Sequence, residues 1–343
     1  MHRDRTAADS AGASAQSNHA SSLDKRPCGS RSPAPSVDRV IYFGVGMLLL
    51  SALLFAGTTV FVKLAAELGD VSGRTAAFVR FLFGLLVVAV YFGVQRRSLL
   101  PRKPRWVVLR VTANTLAVVL FFSGIELTTV TSANMLNMTY PVFVFAVAPL
   151  INREPTPRVY YLFLTLTLGG IWLVLSPAEG AGFSEINAGD LLALGSAGAA
   201  AVAISALREA RKHDDSPLIL FHLFLFGTMA SFFVMLPGFR IPPAGAAGAL
   251  LGVGFCAFAG QLTLTVGYRY ISAAGGSIVS AARIVFAAVL GTLVFADPLG
   301  WKTILGGTLI VMSLLGVSGV VPRLARGRAT SEATERLPEV DRR

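Results

Sequence analysis

Residues 124–155 have the sequence GIELTTVTSANMLNMTYPVFVFAVAPLINREP, and residues 267–298 have the sequence GYRYISAAGGSIVSAARIVFAAVLGTLVFADP. Each stretch starts with glycine, continues through a long apolar segment and ends with an acidic residue followed by proline. At a spacing of 143 residues the matching positions are Gly124 and Gly267, Phe143 and Phe286, Ala148 and Gly291, Leu150 and Leu293, Glu154 and Asp297, and Pro155 and Pro298. This pattern indicates that part of the chain is repeated.

The starts of the two halves match in the same way at a spacing of 145 residues. The matching positions are Gly44 and Gly189, Ser51 and Ser196, Ala52 and Ala197, Ala56 and Ala201, and Lys63 and Arg208. Two extra residues in a loop would account for the change of spacing. Any two apolar sequences align to some extent, but the paired acid–proline and the paired basic residue favour a true duplication.

The composition is that of a membrane protein. Of the 343 residues, 54% are hydrophobic and 14% are charged, and the mean hydropathy is +0.65. Soluble domains carry about 25% charged residues. Apolar runs occur at residues 41–66, 75–94, 106–125, 130–151, 159–176, 190–207, 217–236, 246–267, 275–296 and 303–321. Because lipid offers no partner for backbone N–H and C=O groups, we expect ten transmembrane helices in an all-α integral membrane protein.

The positions of lysine and arginine predict the orientation, because cytoplasmic loops are enriched in these residues. With the N-terminus inside, the inside loops hold Arg96, Arg97, Arg102, Lys103, Arg105, Arg153, Arg158, Arg208, Arg211, Lys212 and Arg269. The outside loops then hold Arg74, Arg240 and Lys302. We therefore expect both termini in the cytoplasm.

Four segments follow from these boundaries. Residues 1–39 are predicted to be a disordered cytoplasmic tail, and residues 322–343 a polar cytoplasmic tail. Residues 40–176 and 187–321 are predicted to be two five-helix repeats. Since five is odd, the second repeat enters the membrane from the opposite side. Inverted repeats are typical of secondary transporters, whose site lies where the repeats meet.

Other classes of protein find little support. The net charge of +11 is spread along the chain without a basic stripe interleaved with aromatic residues, so nucleic acid is not an expected partner. Cys28 and Cys256 have no metal-ligand spacing. No Walker motif or catalytic cluster is present, so we predict no catalytic residue, no metal and no cofactor.

These motifs, taken together, resemble the EamA-type members of the drug/metabolite transporter superfamily. The first half carries FVRFLFG at residues 78–84, GIELTTVTSAN at 124–134, then Tyr140-Pro141 and Glu154-Pro155. The second half departs from the pattern, because Asp297 replaces the usual glutamate and Ile284 stands at the position of the mid-helix proline. The resemblance covers about residues 41–320 and implies a ten-helix carrier with a central cavity in a bacterial inner membrane.

Two arginines inside the predicted spans are candidate substrate-binding residues, because ionisable groups in lipid are costly. Arg283 lies about halfway along the ninth run, and no run has a carboxylate near the same depth. Its guanidinium would suit a substrate carboxylate or phosphate, or would instead satisfy helix-end carbonyls. Arg80 is close enough to the outer surface to have either a substrate role or an orienting role.

The fourth run carries a polar stripe. Asn134, Asn137 and Pro141 are spaced by three and four residues, and Tyr140 lies beside them. Because Pro141 removes a backbone hydrogen bond, we expect a kink that serves gating beside a substrate cavity. The alternative is that the asparagines join helices. Further candidate substrate-binding residues are Asn114, Gln261 and Tyr268.

Four more ionisable residues lie near the ends of runs. Lys63 and Arg208 end the first helix of each half, where a cation complements the helix dipole. Arg110 is expected to belong to the cytoplasmic basic girdle. His222 is a candidate proton-coupling group because its charge changes near neutral pH, although a histidine near a span end is often interfacial.

The sequence thus predicts a secondary-active transporter that exports or imports a small organic metabolite, such as an amino acid or another solute with a carboxylate. The expected partners are this solute, the lipid bilayer and a coupling ion such as H+, with the protein a monomer or homodimer in the inner (plasma) membrane. The alternatives are a membrane enzyme for lipid or prenyl substrates, and a channel or assembly subunit.

Overall fold

The computed structural model describes residues 37–96, 98–128, 130–175, 187–237, 239–296 and 299–335, and their regular structure is entirely helical. The helices are α1 (Val37–Gly69), α2 (Gly73–Gln95), α3 (Pro104–Leu127), α4 (Val130–Asn137), α5 (Tyr140–Asn152), α6 (Val159–Leu175), α7 (Ala188–Ala210), α8 (Ser216–Met235), α9 (Ala244–Gly267), α10 (Ala273–Ser280), α11 (Ala282–Phe295) and α12 (Trp301–Glu335). The predicted all-α class is confirmed for these residues.

Nine segments of the described chain are long and apolar enough to cross a membrane, with the broken pairs α4–α5 and α10–α11 each contributing one. Helix α6 is also apolar but has 17 residues. Residues 1–36 of the predicted N-terminal tail, residues 336–343 of the C-terminal tail, and Asp297-Pro298 lie outside the described residues. Helix α12 continues to Glu335, into the segment predicted as a polar tail.

The main contacts between a helix of the first half and a helix of the second half have counterparts between the equivalent helices. Helix α1 packs on α9, and its counterpart α7 packs on α3. Helix α5 contacts α7, just as α11 contacts α1. The remaining pairs, α2 with α8 and α6 with α12, join equivalent helices. This arrangement is the one expected of two similar bundles related by a pseudo-twofold axis.

Reciprocal contacts between α2 and α8 show the same relation at single residues. A Cβ on Gly84 would lie 2.6 Å from Phe224 Cδ1, and a Cβ on Gly227 would lie 2.5 Å from Phe81 Cε1. The two phenylalanine rings are 6.4 Å apart. Each glycine therefore makes room for a phenylalanine ring of the other helix. The two glycines match in the repeat, and so do the two phenylalanines.

Glycines that match in the sequence repeat also mark the other close crossings. Where α3 meets α7, a Cβ on Gly124 would lie 2.9 Å from the carbonyl oxygen of Gly189. Where α9 meets α1, a Cβ on Gly267 would lie 3.2 Å from the carbonyl oxygen of Gly44. Backbones approach this closely only where the side chain is absent. The repeated glycines thus bring the two halves into contact.

The interhelical loops are held together at two ends of the bundle. The basic end includes residues 98–103, 153–158, 211–215 and 268–272, and here the Asp214 carboxylate accepts a hydrogen bond of 2.6 Å from the Arg102 backbone N–H. The opposite end includes residues 70–72 and 239–243. An ion pair joins them, with Arg240 Nη1 3.4 Å from Asp70 Oδ2. Loops that the charge pattern assigns to one side of a membrane therefore lie at one end.

The fourth and ninth runs are both broken in the middle, at positions 143 residues apart. The break between Asn137 and Tyr140 lies beside Pro141, where a kink was predicted. The break at Ala281 was not predicted, because no proline is present. There the Tyr140 hydroxyl donates to the Ser277 carbonyl at 3.3 Å, and Ala281 N–H bonds to Ile278 instead. A tertiary contact thus takes the acceptor that a continuous helix would use.

Adjacent glycines of α6 provide a test of the close packing between halves. A Cβ on Gly170 would lie 2.5 Å from the Gly306 carbonyl oxygen on α12, whereas a Cβ on Gly169 would meet only Leu309 Cδ1 at 4.0 Å. We expect Gly170→Ala to lower the free energy of unfolding by about 1–3 kcal/mol through overpacking. Gly169→Ala, the control, should be neutral or slightly stabilising because alanine favours the helix. Thermal unfolding in detergent measures both, and equal stability of the two variants would contradict the packing.

Candidate functional site

A cavity of about 720 Å³ occupies the centre of the bundle. Every described helix except α8 contributes a residue to its lining, so both halves form its wall. The lining reaches the opposite end of the bundle at Leu175, Leu299 and Thr303. The volume is within the range of small-molecule sites.

Toward the basic end the cavity stops at a fully packed layer. Tyr268, Leu207 and Ile278 are completely or almost completely buried there and are not part of the lining. Below them Arg208 forms an ion pair with Glu154 at 3.1 Å and donates to the Tyr268 carbonyl at 3.1 Å. Among the described residues, the cavity is therefore closed at the basic end, and its lining extends to the opposite end.

A second arginine reinforces the closed end. Arg211 donates to the Thr265 carbonyl at 3.1 Å and to the Asp214 carbonyl at 2.5 Å, so it ties α9 to the 211–215 loop. Burial, together with the charge of Arg269, lowers the pKa of Arg211 from its ordinary value. Hydrogen bonds to the two carbonyls offset part of the cost of burying this charge.

Three arginines line the cavity, and none of them is matched by a carboxylate. Arg283 Nη2 lies 2.7 Å from the Met138 thioether sulfur, a weak acceptor. The Arg80 guanidinium lies 4.9 Å from the centroid of the Phe81 ring. Arg110 is 2% exposed, and its Nε has no hydrogen-bond partner among the residues the structure describes.

This charge distribution favours an anionic ligand. The described lining residues include no aspartate or glutamate. Guanidinium groups stay protonated in proteins and are costly to bury without a counter-charge. A carboxylate or phosphate on a bound solute would supply the missing charge and accept paired hydrogen bonds from arginine.

Most of the predicted substrate-binding residues are brought together in the cavity. Its lining contains Arg283, Arg80, Asn134, Asn137, Tyr140, Asn114 and Gln261. The Asn137 amide also donates to the Ser196 hydroxyl on α7 at 2.7 Å. This residue therefore joins two helices at the cavity wall, and its role in binding substrate stays a prediction.

Three other candidates lie outside the lining. Tyr268 is fully buried in the layer beneath the cavity, and Pro141 is buried at the start of α5. His222 is on α8, where its Nδ1 lies 3.0 Å from the Leu218 carbonyl of the same helix. The structure therefore places none of these three side chains where a solute in the cavity would touch it.

Arg110 is the residue that the sequence interpretation missed. It was assigned to the basic girdle because it lies in the second turn of α3, but it is buried and lines the cavity. The reason is tertiary, because α7 and α8 both pack against α3 and cover its first turns. The available signal was Asn114, which lies one turn further along the same face.

The sequence and the fold of this chain are similar to those of known proteins. The family described as the EamA-like transporter family matches residues 42–176 and 187–319. Solute carrier family 35 member G1 of Homo sapiens is 25% identical over 308 residues, covering 85% of this chain and 84% of its own. An uncharacterized transporter of Helicobacter pylori is 27% identical over 287 residues, covering 80% of this chain and 93% of its own. A solved crystal structure aligns with a TM-score of 0.68 at 17% identity, covering 84% of this chain and 98% of its own, and shows a shared fold.

Two neighbouring residues of α11 test the position of the cavity. Ala288 lines it, whereas Val289 is exposed on the outer surface of the bundle. In a Cys28→Ser, Cys256→Ala background, Ala288→Cys should react with a charged maleimide in permeabilised membranes. Val289→Cys should react about tenfold more slowly or less, because lipid raises the pKa of a thiol. Equal reaction rates would contradict a water-filled cavity at this depth.

Proposed function

The chain belongs to the EamA-like transporter family and is a multi-pass membrane transporter of a small solute; from this premise we propose that it is a secondary carrier that works by alternating access. The direct support is that the main contacts between the halves have counterparts in the repeat, together with a cavity that the described residues close at the basic end. The repeat within one chain also favours a carrier over a channel, whose pore is often built by symmetric subunits. The related proteins are named as transporters, which favours a carrier over a membrane enzyme.

The proposed substrate is a small organic solute with a carboxylate, such as an amino acid or a related compound. The observation that carries this proposal is Arg283, which lines the cavity and meets the Met138 thioether. Arg283 immediately follows the break at Ala281, where backbone geometry is irregular. Broken helices are tolerated at membrane depth where they line a cavity, and transporters often bind solute there.

The proposed second state is obtained by exchanging the roles of the halves. In the present state Arg208 closes the basic end by contacting Glu154, just after α5. The matching residue Lys63 has its ammonium 3.9 Å from the centroid of the Phe295 ring, the last residue of α11. We propose that closure around Lys63 and opening around Arg208 give the state that is open at the basic end.

The proposed orientation has ten spans, both termini and the basic end in the cytoplasm, and the protein in the inner membrane. The basis is the excess of lysine and arginine in the loops of the basic end. An ion gradient such as that of H+, or exchange of solutes, would drive transport by a monomer or homodimer. The position of His222 outside the cavity gives no support to a coupling role for it.

Transport by reconstituted protein tests the role of Arg283. We expect saturable flux of labelled carboxylates into proteoliposomes, and we expect Arg283→Ala to reduce it at least about tenfold because a charge-assisted paired contact is lost. The control Arg158→Ala removes an exposed arginine from the 153–158 loop and should leave flux unchanged. Protein abundance in the vesicles must be equal. Normal flux through Arg283→Ala would refute the proposal, and turnover of a lipid without flux would favour an enzyme.

A further inference from the structure

We propose that the cavity contains a second anion subsite, formed by Arg110 and Gln261, and that the transported solute therefore carries two separated anionic groups. This inference rests on the proposed function and narrows its substrate class from a carboxylate-bearing solute to a dianion. Two buried side chains with unused hydrogen-bond donors carry it, and they come from different halves of the chain.

The first of these side chains is Arg110 on α3. It lines the cavity with 2% of its surface exposed, and its Nε has no hydrogen-bond partner among the described residues. A guanidinium has five N–H donors and no acceptor, so only an acceptor can satisfy it. The described lining residues include no carboxylate that could do so.

The second side chain is Gln261 on α9, the counterpart of α3 in the other half. It is 6% exposed, lines the cavity, and its Nε2 amide also has no partner within the described part of the chain. The backbone carbonyl of the preceding Gly260 already accepts a hydrogen bond of 2.7 Å from Ser51. Both side chains line the same cavity, and each carries a buried N–H without a partner among the described residues, which favours a ligand rich in acceptors.

This subsite is separate from Arg283 in depth. Arg110 lies six residues after the start of α3 at the basic end, and Arg283 lies ten residues after the start of α10 at the same end. At a rise of 1.5 Å per residue these positions are about 9 Å and about 15 Å deep, which is a difference of about 6 Å along the bundle. Because the two arginines start from different depths, a solute with two anionic groups can offer one of them to each arginine.

The subsite is not duplicated by the repeat. The positions equivalent to Arg110 and Gln261 are Val253 and Val118, which offer no donor. The lining also lacks a carboxylate among its described members, so the ammonium group of an amino acid would find no counter-charge. The charge pattern therefore favours a dianion over a zwitterion.

Three five-carbon probes separate these possibilities by calorimetric titration of the purified full-length protein. Glutarate has two carboxylates, pentanoate has one, and norvaline has one carboxylate and an ammonium group. We expect glutarate to bind at least about tenfold more tightly than either of the others, which is the effect of one additional charge-assisted contact. Glutarate binding no tighter than that of pentanoate would overturn the inference.

Variants test whether Arg110 is responsible for the tighter binding of glutarate. Arg110→Gln should reduce glutarate affinity to that of pentanoate and change pentanoate affinity by less than about twofold, since one extra contact is removed. Arg105→Gln, an exposed arginine on the same helix, is the matched control and should change neither. If Arg110→Gln does not fold, Arg110→Lys keeps the charge without the planar fork and should show an intermediate preference.

The outcomes also distinguish this inference from the proposed function. Equal loss of glutarate and pentanoate binding in Arg110→Gln would mean that Arg110 serves a single site, which would refute the second subsite. Binding of pentanoate that is lost in Arg283→Gln would still support the carboxylate carrier in that case. Absence of binding by all three probes would refute both proposals.

Discussion

Positive charge buried without a protein counter-charge is the constraint on which the rest of this structure depends. Arg80, Arg110 and Arg283 all line one cavity whose described residues include no carboxylate. In a bundle surrounded by lipid such groups are stable only in contact with water or with an anion. These residues therefore need the cavity, and the proposed anionic solute would supply the missing counter-charge.

The duplicated architecture explains how such a cavity forms at the centre. Glycines such as Gly124 and Gly189 bring helices of different halves into backbone contact, which seals the bundle around its axis. The breaks at residues 138 and 281 place irregular backbone at the cavity wall. Because the halves make equivalent contacts, the proposed second arrangement exchanges the end closed by Arg208 for the end near Lys63.

Features with a strong one-dimensional signal could be predicted from the sequence, whereas features set by neighbouring helices could not. Apolar run length predicts the helices within a few residues, except for the end of α12, which continues to Glu335, and Pro141 predicts the first break. At the second break the Ser277 carbonyl accepts a hydrogen bond from the Tyr140 hydroxyl, a contact across 137 residues. Arg110 is near the end of its helix but buried by α7 and α8, and Tyr268 is polar but packed beneath the cavity. The position of a residue along its own helix therefore does not predict whether its side chain is buried, because neighbouring helices decide that.

The most direct measurement of the central claim is an experimental structure of the protein in lipid nanodiscs with saturating glutarate. We expect density for a bound anion within hydrogen-bond distance of Arg283, with its second carboxylate directed toward Arg110. A cavity without the anion, with Arg283 paired to a protein carboxylate or turned toward lipid, would contradict the claim.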